Sequence, residues 1–187
     1  MKHIIILASG SGTNAENIIK YFENSQTASV RMVLSNKKEA KVLDRANSYG
    51  KSTISFNKTA FTNGDVLDLL KNLNPDLIVL AGFLWKVPSE IITAFPDKII
   101  NIHPALLPNY GGKGMYGLKV HQAIITNKEI ETGITIHYVN ENYDEGNIIF
   151  QAKTKVTAQD TADSVAQKVH QLEYKHFPEI IEKLLNG

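Results

Sequence analysis

Short apolar runs alternate with longer amphipathic stretches over residues 1–102, and this alternation restricts the chain to very few folds. The apolar runs cover residues 4–8, 30–34, 52–56, 76–81 and 99–102, with helical spacing over 16–22, 40–49, 66–73 and 89–94 between them. Strands separated by helices cannot pair as hairpins. They predict βαβ units with right-handed crossovers, a mostly parallel twisted sheet, and helices on both of its faces. Past residue 130 the pattern changes: residues 132–139 alternate in strand fashion, 148–156 read as a second strand, and no helix fits between them. An antiparallel C-terminal pair on a mixed sheet follows. A long helix from Thr161 to Leu185, interrupted near Pro178, closes the chain.

A chain of 187 residues suffices for one α/β domain with a sizeable core. Twenty Lys and Arg against nineteen Asp and Glu leave a net charge of +1, so no global field favours nucleic acid or an anionic membrane. Small molecules are the expected partners. The lack of cysteine removes disulfides, thiolate nucleophiles and cysteine zinc sites, and suits a reducing, cytoplasmic setting. The first apolar run ends in Ser-Gly-Ser-Gly without a cleavage pattern, and no stretch approaches the roughly 20 apolar residues of a membrane span.

Asn101 and His103 stand two apart at the end of an apolar run that Pro104 stops. A strand puts residues i and i+2 on one face, and the carboxyl edge of an open α/β sheet is where ligands bind. An amide N–H and an imidazole can stabilise the negative charge that builds on a carbonyl oxygen attacked by an amine. The carboxylate of Asp144 would favour a charged imidazole and can accept or relay a proton. The same Asn-x-His spacing also serves as a plain turn cap, and spacing alone does not choose between the two.

Two loops flank this pair in the expected order. Ser9-Gly10-Ser11-Gly12-Thr13-Asn14 links a strand to a helix, where backbone N–H groups favour phosphate, although a glycine-rich turn capped by Thr or Asn needs no ligand. It lacks the third glycine of a dinucleotide fingerprint and the lysine of a Walker loop. In residues 80–88, small side chains precede Phe83, Leu84, Trp85 and Val87, which can line a pocket for a flat ring or pack a core. Of six histidines, His3, His121, His170 and His176 read as satisfied or solvated, and His137, on one face with Thr135, reads as support. No His-x-x-x-His spacing with a Glu suggests a metal.

The run Asn101-Ile102-His103-Pro104-Ala105-Leu106-Leu107-Pro108 resembles the Asn-Ile-His-Pro-Ser-Leu-Leu-Pro signature of folate-dependent formyltransferases. Residues 9–14, 35–37, 80–83, 133–139, 144–146 and 151–152 stand in the order expected of the branch that acts on 5'-phosphoribosylglycinamide. The resemblance implies a Rossmann-like formyltransferase fold over residues 1–187, with a phosphate-binding half at 1–100 and a catalytic, folate-binding half at 101–187. It implies formyl transfer from 10-formyltetrahydrofolate to the glycinamide amine in purine synthesis, by direct attack and without a metal. Asn101 and His103 would hold the oxyanion, with His103 also protonating the leaving nitrogen. Asp144 would keep His103 protonated. Gly12, Thr13 and Asn14 would bind the phosphate, and Glu173 would place the amine. Asn101, Asp144, Asn140, Leu84, Trp85, Lys86 and Val87 would line the pterin site. A monomer or homodimer and a cis Leu107-Pro108 bond are further expectations.

Four departures accompany the match. Ala105 replaces Ser, the segment 110–117 is longer than the family loop, Asn63-Gly64 replaces a basic residue, and Trp85 stands where Arg is frequent. A 10-formyltetrahydrofolate deformylase or a methionyl-tRNA formyltransferase would be expected to carry a further domain that this length does not hold. A silent nucleotide-binding module would have no use for Asn101, His103 and Asp144 together.

Overall fold

The first apolar run is continuous because its strand is buried on both sides. In β1 (Lys2–Ala8), Ile4, Ile6 and Ala8 enter one core cluster while Ile5 and Leu7 enter another across the sheet. The computed structural model describes residues 1–187 and continues with α1 (Thr13–Tyr21), β2 (Ala28–Ser35), α2 (Lys41–Ser48), β3 (Ser52–Ser55), α3 (Lys58–Thr62), α4 (Asp65–Leu73) and β4 (Leu77–Leu80). Then come α5 (Ser89–Ala94), β5 (Ile99–His103), α6 (Leu118–Thr126), β6 (Glu131–Tyr138), β7 (Ile148–Lys155) and α7 (Ala162–Asn186).

The seven strands form one sheet of order β3-β2-β1-β4-β5-β6-β7. All pairs from β3 to β5 are parallel, and β6 and β7 join antiparallel. Residues of α1, α2, α6 and α7 cover one face, and residues of α3, α4 and α5 cover the other. The alternating pattern and the antiparallel pair therefore stand as the sequence predicts. Strand order reverses between β1 and β4, so the loops after these strands diverge and leave a crevice at the carboxyl edge.

Three local features differ from expectation. An additional short helix, α3, precedes α4, and Asn63-Gly64 forms the junction between the two, with Gly64 at φ 106°. α1 begins at Thr13, earlier than expected, with Gly12 instead of Thr or Asn at its N-cap and no side-chain cap. α7 runs through Pro178 without interruption. Proline at 178 cannot donate to the Tyr174 carbonyl, but Asn17 Nδ2 of α1 donates to it instead at 2.8 Å. The acceptor stays satisfied, and the break is avoided.

The turn after β5 is held by one buried hydroxyl. Thr135 Oγ1 on β6 donates to the Ala105 carbonyl at 2.7 Å and accepts from Leu107 N at 2.9 Å and Gln151 Nε2 at 2.8 Å. This network fixes the run that ends in the cis Leu107-Pro108 bond. Thr135→Val keeps the shape but strands two donors, so it should cost about 2 kcal/mol in urea unfolding. A loss below about 0.5 kcal/mol would show that the hydroxyl is dispensable.

Candidate active site

β5 places Asn101 and His103 on the face opposite Ile100 and Ile102, which enter the larger core cluster. The antiparallel register sets His137 directly across from Asn101 and Thr135 across from His103. Asn101 Nδ2 consequently lies 3.1 Å from His137 Nε2. His137 Nδ1 faces the Tyr138 carbonyl at 2.8 Å and must donate to it, which leaves Nε2 turned toward the Asn101 amide and toward Asp144 Oδ1 at 3.7 Å. His137 thus orients the amide.

Asp144 arrives from the loop after β6 in a left-handed conformation, φ 57°. Its Oδ1 is 3.5 Å from Asn101 Nδ2, and its Oδ2 is 3.5 Å from His103 Nδ1 and accepts from Gly112 N at 2.9 Å. The three sequence-selected residues are therefore brought together. Both Nδ2 hydrogens of Asn101 have protein partners, and the longer contact, to Asp144, is the one more easily handed to a substrate oxygen.

Burial decides the protonation of this group. His103 is only 4 % exposed, and desolvation pulls its pKa below the ordinary value, outweighing the opposing pull of Asp144 and of the Tyr110 carbonyl. Burial thus works against the expectation that Asp144 keeps this ring protonated, and Asp144 and the Tyr110 carbonyl work for it. Burial pushes the Asp144 carboxyl up, but the neighbouring His137 ring, His103 and the Gly112 N–H outweigh it and leave the group below the usual carboxylate range.

These residues stand where two cavities meet. The larger, about 660 Å³, runs from the Ser9 to Asn14 loop across Asn101 and His103 to Glu173. The smaller, about 60 Å³, is lined by Trp85, Lys86, Val87, Asn140 and Val139, and shares Phe83, Asn101, Tyr143 and Asp144 with the first. Gly12, Thr13, Asn14 and Glu173 all face the larger cavity, and Asn14 Nδ2 donates to Glu173 Oε2 at 2.9 Å. Burial raises the Glu173 pKa despite that bond and the nearby His170. Leu84 parts from its neighbours and lines the larger cavity, because its N–H donates to Ser9 Oγ at 2.9 Å. Ser9 Oγ in turn donates to Asn36 Oδ1 at 2.6 Å, tying the loops after β1, β2 and β4 together.

Several lining residues escaped sequence reasoning. His121 and His170 read in sequence as satisfied or solvated helix histidines, yet both face the larger cavity. His121 is pushed down to about 4 by burial and then by its histidine neighbours, and its Nδ1 has no partner. A helix position looks the same in sequence whether its side chain meets core, solvent or cleft, and of these two only His121 is buried. Lys37 also lines this cavity, and its position just past β2 was the available signal. Lys58 lies 4.8 Å above the Trp85 ring, inside an aromatic group with Phe56, Phe61 and Phe83. Lys113 and Tyr116, in the segment 110–117, complete one wall of the larger cavity. No group of three or more His, Cys, Asp or Glu is placed to hold a metal ion, and no helix is long and apolar enough to cross a membrane.

Comparison with known proteins gives a consistent result. The formyl transferase family profile matches residues 2–181. The chain is 35% identical to the phosphoribosylglycinamide formyltransferase of Bacillus subtilis, covering 99% of this chain and 95% of that protein. It is 36% identical to the chloroplastic phosphoribosylglycinamide formyltransferase of Arabidopsis thaliana over 96% of this chain, and spans 64% of that longer protein. It spans 61% of the Vigna unguiculata counterpart, so it covers less than two thirds of both plant relatives. The crystal structure of glycinamide ribonucleotide transformylase 1 from Symbiobacterium toebii superposes with a TM-score of 0.91 at 30% identity, covering 100% of this chain and 89% of that one.

Proposed function

Because this chain belongs to the formyl transferase family, we propose that it transfers the formyl group of 10-formyltetrahydrofolate to the amine of 5'-phosphoribosylglycinamide in purine synthesis. The observation that carries this reading is the convergence of Asn101, His103 and Asp144 at the junction of two cavities. A sugar phosphate and a folate entering from opposite sides would meet there. On this reading residues 1–187 act as one cytoplasmic formyltransferase unit, monomer or homodimer, with residues 1–100 contributing the phosphate end.

The phosphate suits the first turn of α1. No side chain caps this helix, so its N–H groups are left for an anion, and Lys37 adds a positive charge to the same cavity. Glu173 and Asn14, joined by a hydrogen bond, orient the glycinamide part. The folate supplies the formyl group and the leaving nitrogen. Phe83, Trp85 and Val87 give its ring an apolar wall, Lys86 lines the same cavity, and Lys58 sets a positive charge over the Trp85 ring.

The proton inventory follows from the site. As the amine attacks the formyl carbon, a C–N bond forms and the carbonyl electron pair moves onto oxygen, where Asn101 Nδ2–H stabilises it. The neutral His103 ring takes the amine proton on Nδ1, next to the ionised Asp144 that stabilises the imidazolium, and the Nδ1–H so formed can be shared with the oxyanion. The same proton then passes to the leaving nitrogen as the old C–N bond breaks. No covalent enzyme adduct is required.

An absorbance assay of 10-formyltetrahydrofolate turnover with and without phosphoribosylglycinamide tests this reading. Turnover that requires the amine is expected. Equal turnover without it would replace the transferase with a hydrolase, and no turnover in either would remove the assignment.

A further inference from the structure

The segment 110–117 touches the catalytic group at two backbone points. The carbonyl of Tyr110 lies 2.7 Å from His103 Nε2, and Gly112 N donates to Asp144. A carbonyl can only accept, so Nε2 must carry a hydrogen in every protonation state of the ring. The neutral ring then has its lone pair on Nδ1, the nitrogen that faces Asp144 at 3.5 Å. Left to itself, a carboxylate on that side would favour the opposite tautomer, with the hydrogen on Nδ1. Some other group must hold the Tyr110 carbonyl in place.

Tyr110 has φ 59°, a left-handed conformation that a residue with a bulky side chain rarely adopts. The segment contains Gly111, Gly112, Gly114 and Gly117, so its own backbone gives little stiffness. The phenol supplies the anchor. Its O–H donates to Glu129 Oε1 at 2.6 Å and accepts from Asn127 Nδ2 at 2.9 Å, both in the connection between α6 and β6. Burial and Glu129 together raise the phenol pKa, so this hydrogen stays on the oxygen through the neutral range.

We infer that Tyr110 is a positioning residue: its phenol, tied to Glu129 and Asn127, fixes the backbone that aims its carbonyl at His103 Nε2 and reserves Nδ1 for the travelling proton. This inference rests on the formyl-transfer reading for its kinetic consequence. Its structural content, the tautomer of His103, can be read without any substrate. The other titratable groups near this ring are Asp144, His137 and His121, and none of them anchors the phenol.

The test combines imidazole 15N NMR of histidine-labelled protein at neutral pH with steady-state kinetics, on the parent, Tyr110→Phe, Glu129→Gln and Glu129→Ala. In Tyr110→Phe the His103 signal should move toward the Nδ1–H tautomer, and kcat should fall about tenfold while both KM values hold. Glu129→Gln still accepts from the phenol and should keep at least about half the parent kcat, whereas Glu129→Ala should follow Tyr110→Phe. An unchanged His103 tautomer in folded Tyr110→Phe overturns the inference, as does an altered tautomer with unchanged kcat. Should Tyr110→Phe fail to fold, Glu129→Ala decides by the same two readings. If the parent shows no formyl transfer, the tautomer comparison still decides whether the anchor works, separately from the function.

Discussion

His103→Ala should lower kcat for formyl transfer by about two orders of magnitude or more while leaving the KM for phosphoribosylglycinamide within about threefold. On the proposed path His103 Nδ1 handles a proton that moves only during the reaction, whereas the α1 loop would hold the phosphate end of the substrate some distance away. Asp144→Asn should show a loss of similar size, because it removes the charge 3.5 Å from Nδ1 just as an imidazolium forms. Near-normal turnover in both variants would refute the proton path.

The pH dependence has a definite sign. Burial lowers the pKa of His103 below the ordinary 6.5, with Asp144 opposing the shift. If the neutral ring takes up the amine proton as proposed, kcat/KM should hold as pH falls through 6.5 and decline only below it. Removing the opposing carboxylate in Asp144→Asn should move that decline to still lower pH. A limb that rises above 6.5 in the variant would mean that the charge of Asp144 is not what the imidazole feels.

Gly12→Ala should produce the second large effect, on stability and substrate binding together. Gly12 has φ 76°, and an added Cβ would lie 2.4 Å from Val42 Cβ and 2.7 Å from Val42 Cα on α2. A backbone atom cannot step aside as a side-chain tip can, and the left-handed conformation adds its own strain. Together these should cost about 3 kcal/mol or more in urea unfolding. The displaced first turn of α1 should also raise the KM for phosphoribosylglycinamide about tenfold. Gly10→Ala is the internal control. A Cβ there meets nothing within 4 Å, so its stability should stay within about 0.5 kcal/mol of the parent. Equal behaviour of the two variants would mean that packing against α2 is not what requires glycine at 12.

These two sites show different degrees of legibility. The Asn101 and His103 pair could be read directly, because strand periodicity and Pro104 place both side chains together at a sheet edge. The distance to Asp144 could not, because forty residues of helix, turn and strand intervene and their geometry is not local. Carboxylate chemistry and the family resemblance both pointed to Asp144, and the tertiary structure places it beside both partners. His121 and His170 were passed over for the opposite reason. Their helix positions carry ordinary patterns, and only the packing of α6 and α7 around the cleft gives them a wall to face. The segment 110–117 had no readable shape, since its glycines allow many conformations, until the Tyr110 phenol and Asp144 supplied partners outside it.

By itself the amino-acid order determined the strand and helix succession, the antiparallel ending and the side of the sheet on which Asn101 emerges, because hydrophobic periodicity and chain stops act over a few residues. Only the tertiary structure decided that Gly12 is needed against Val42, that Asn17 rescues the helix at Pro178, and that burial outweighs Asp144 in setting the charge of His103. Each of these is a balance between groups far apart in the chain, and its sign depends on distances and solvent exclusion that exist only once the layers have packed.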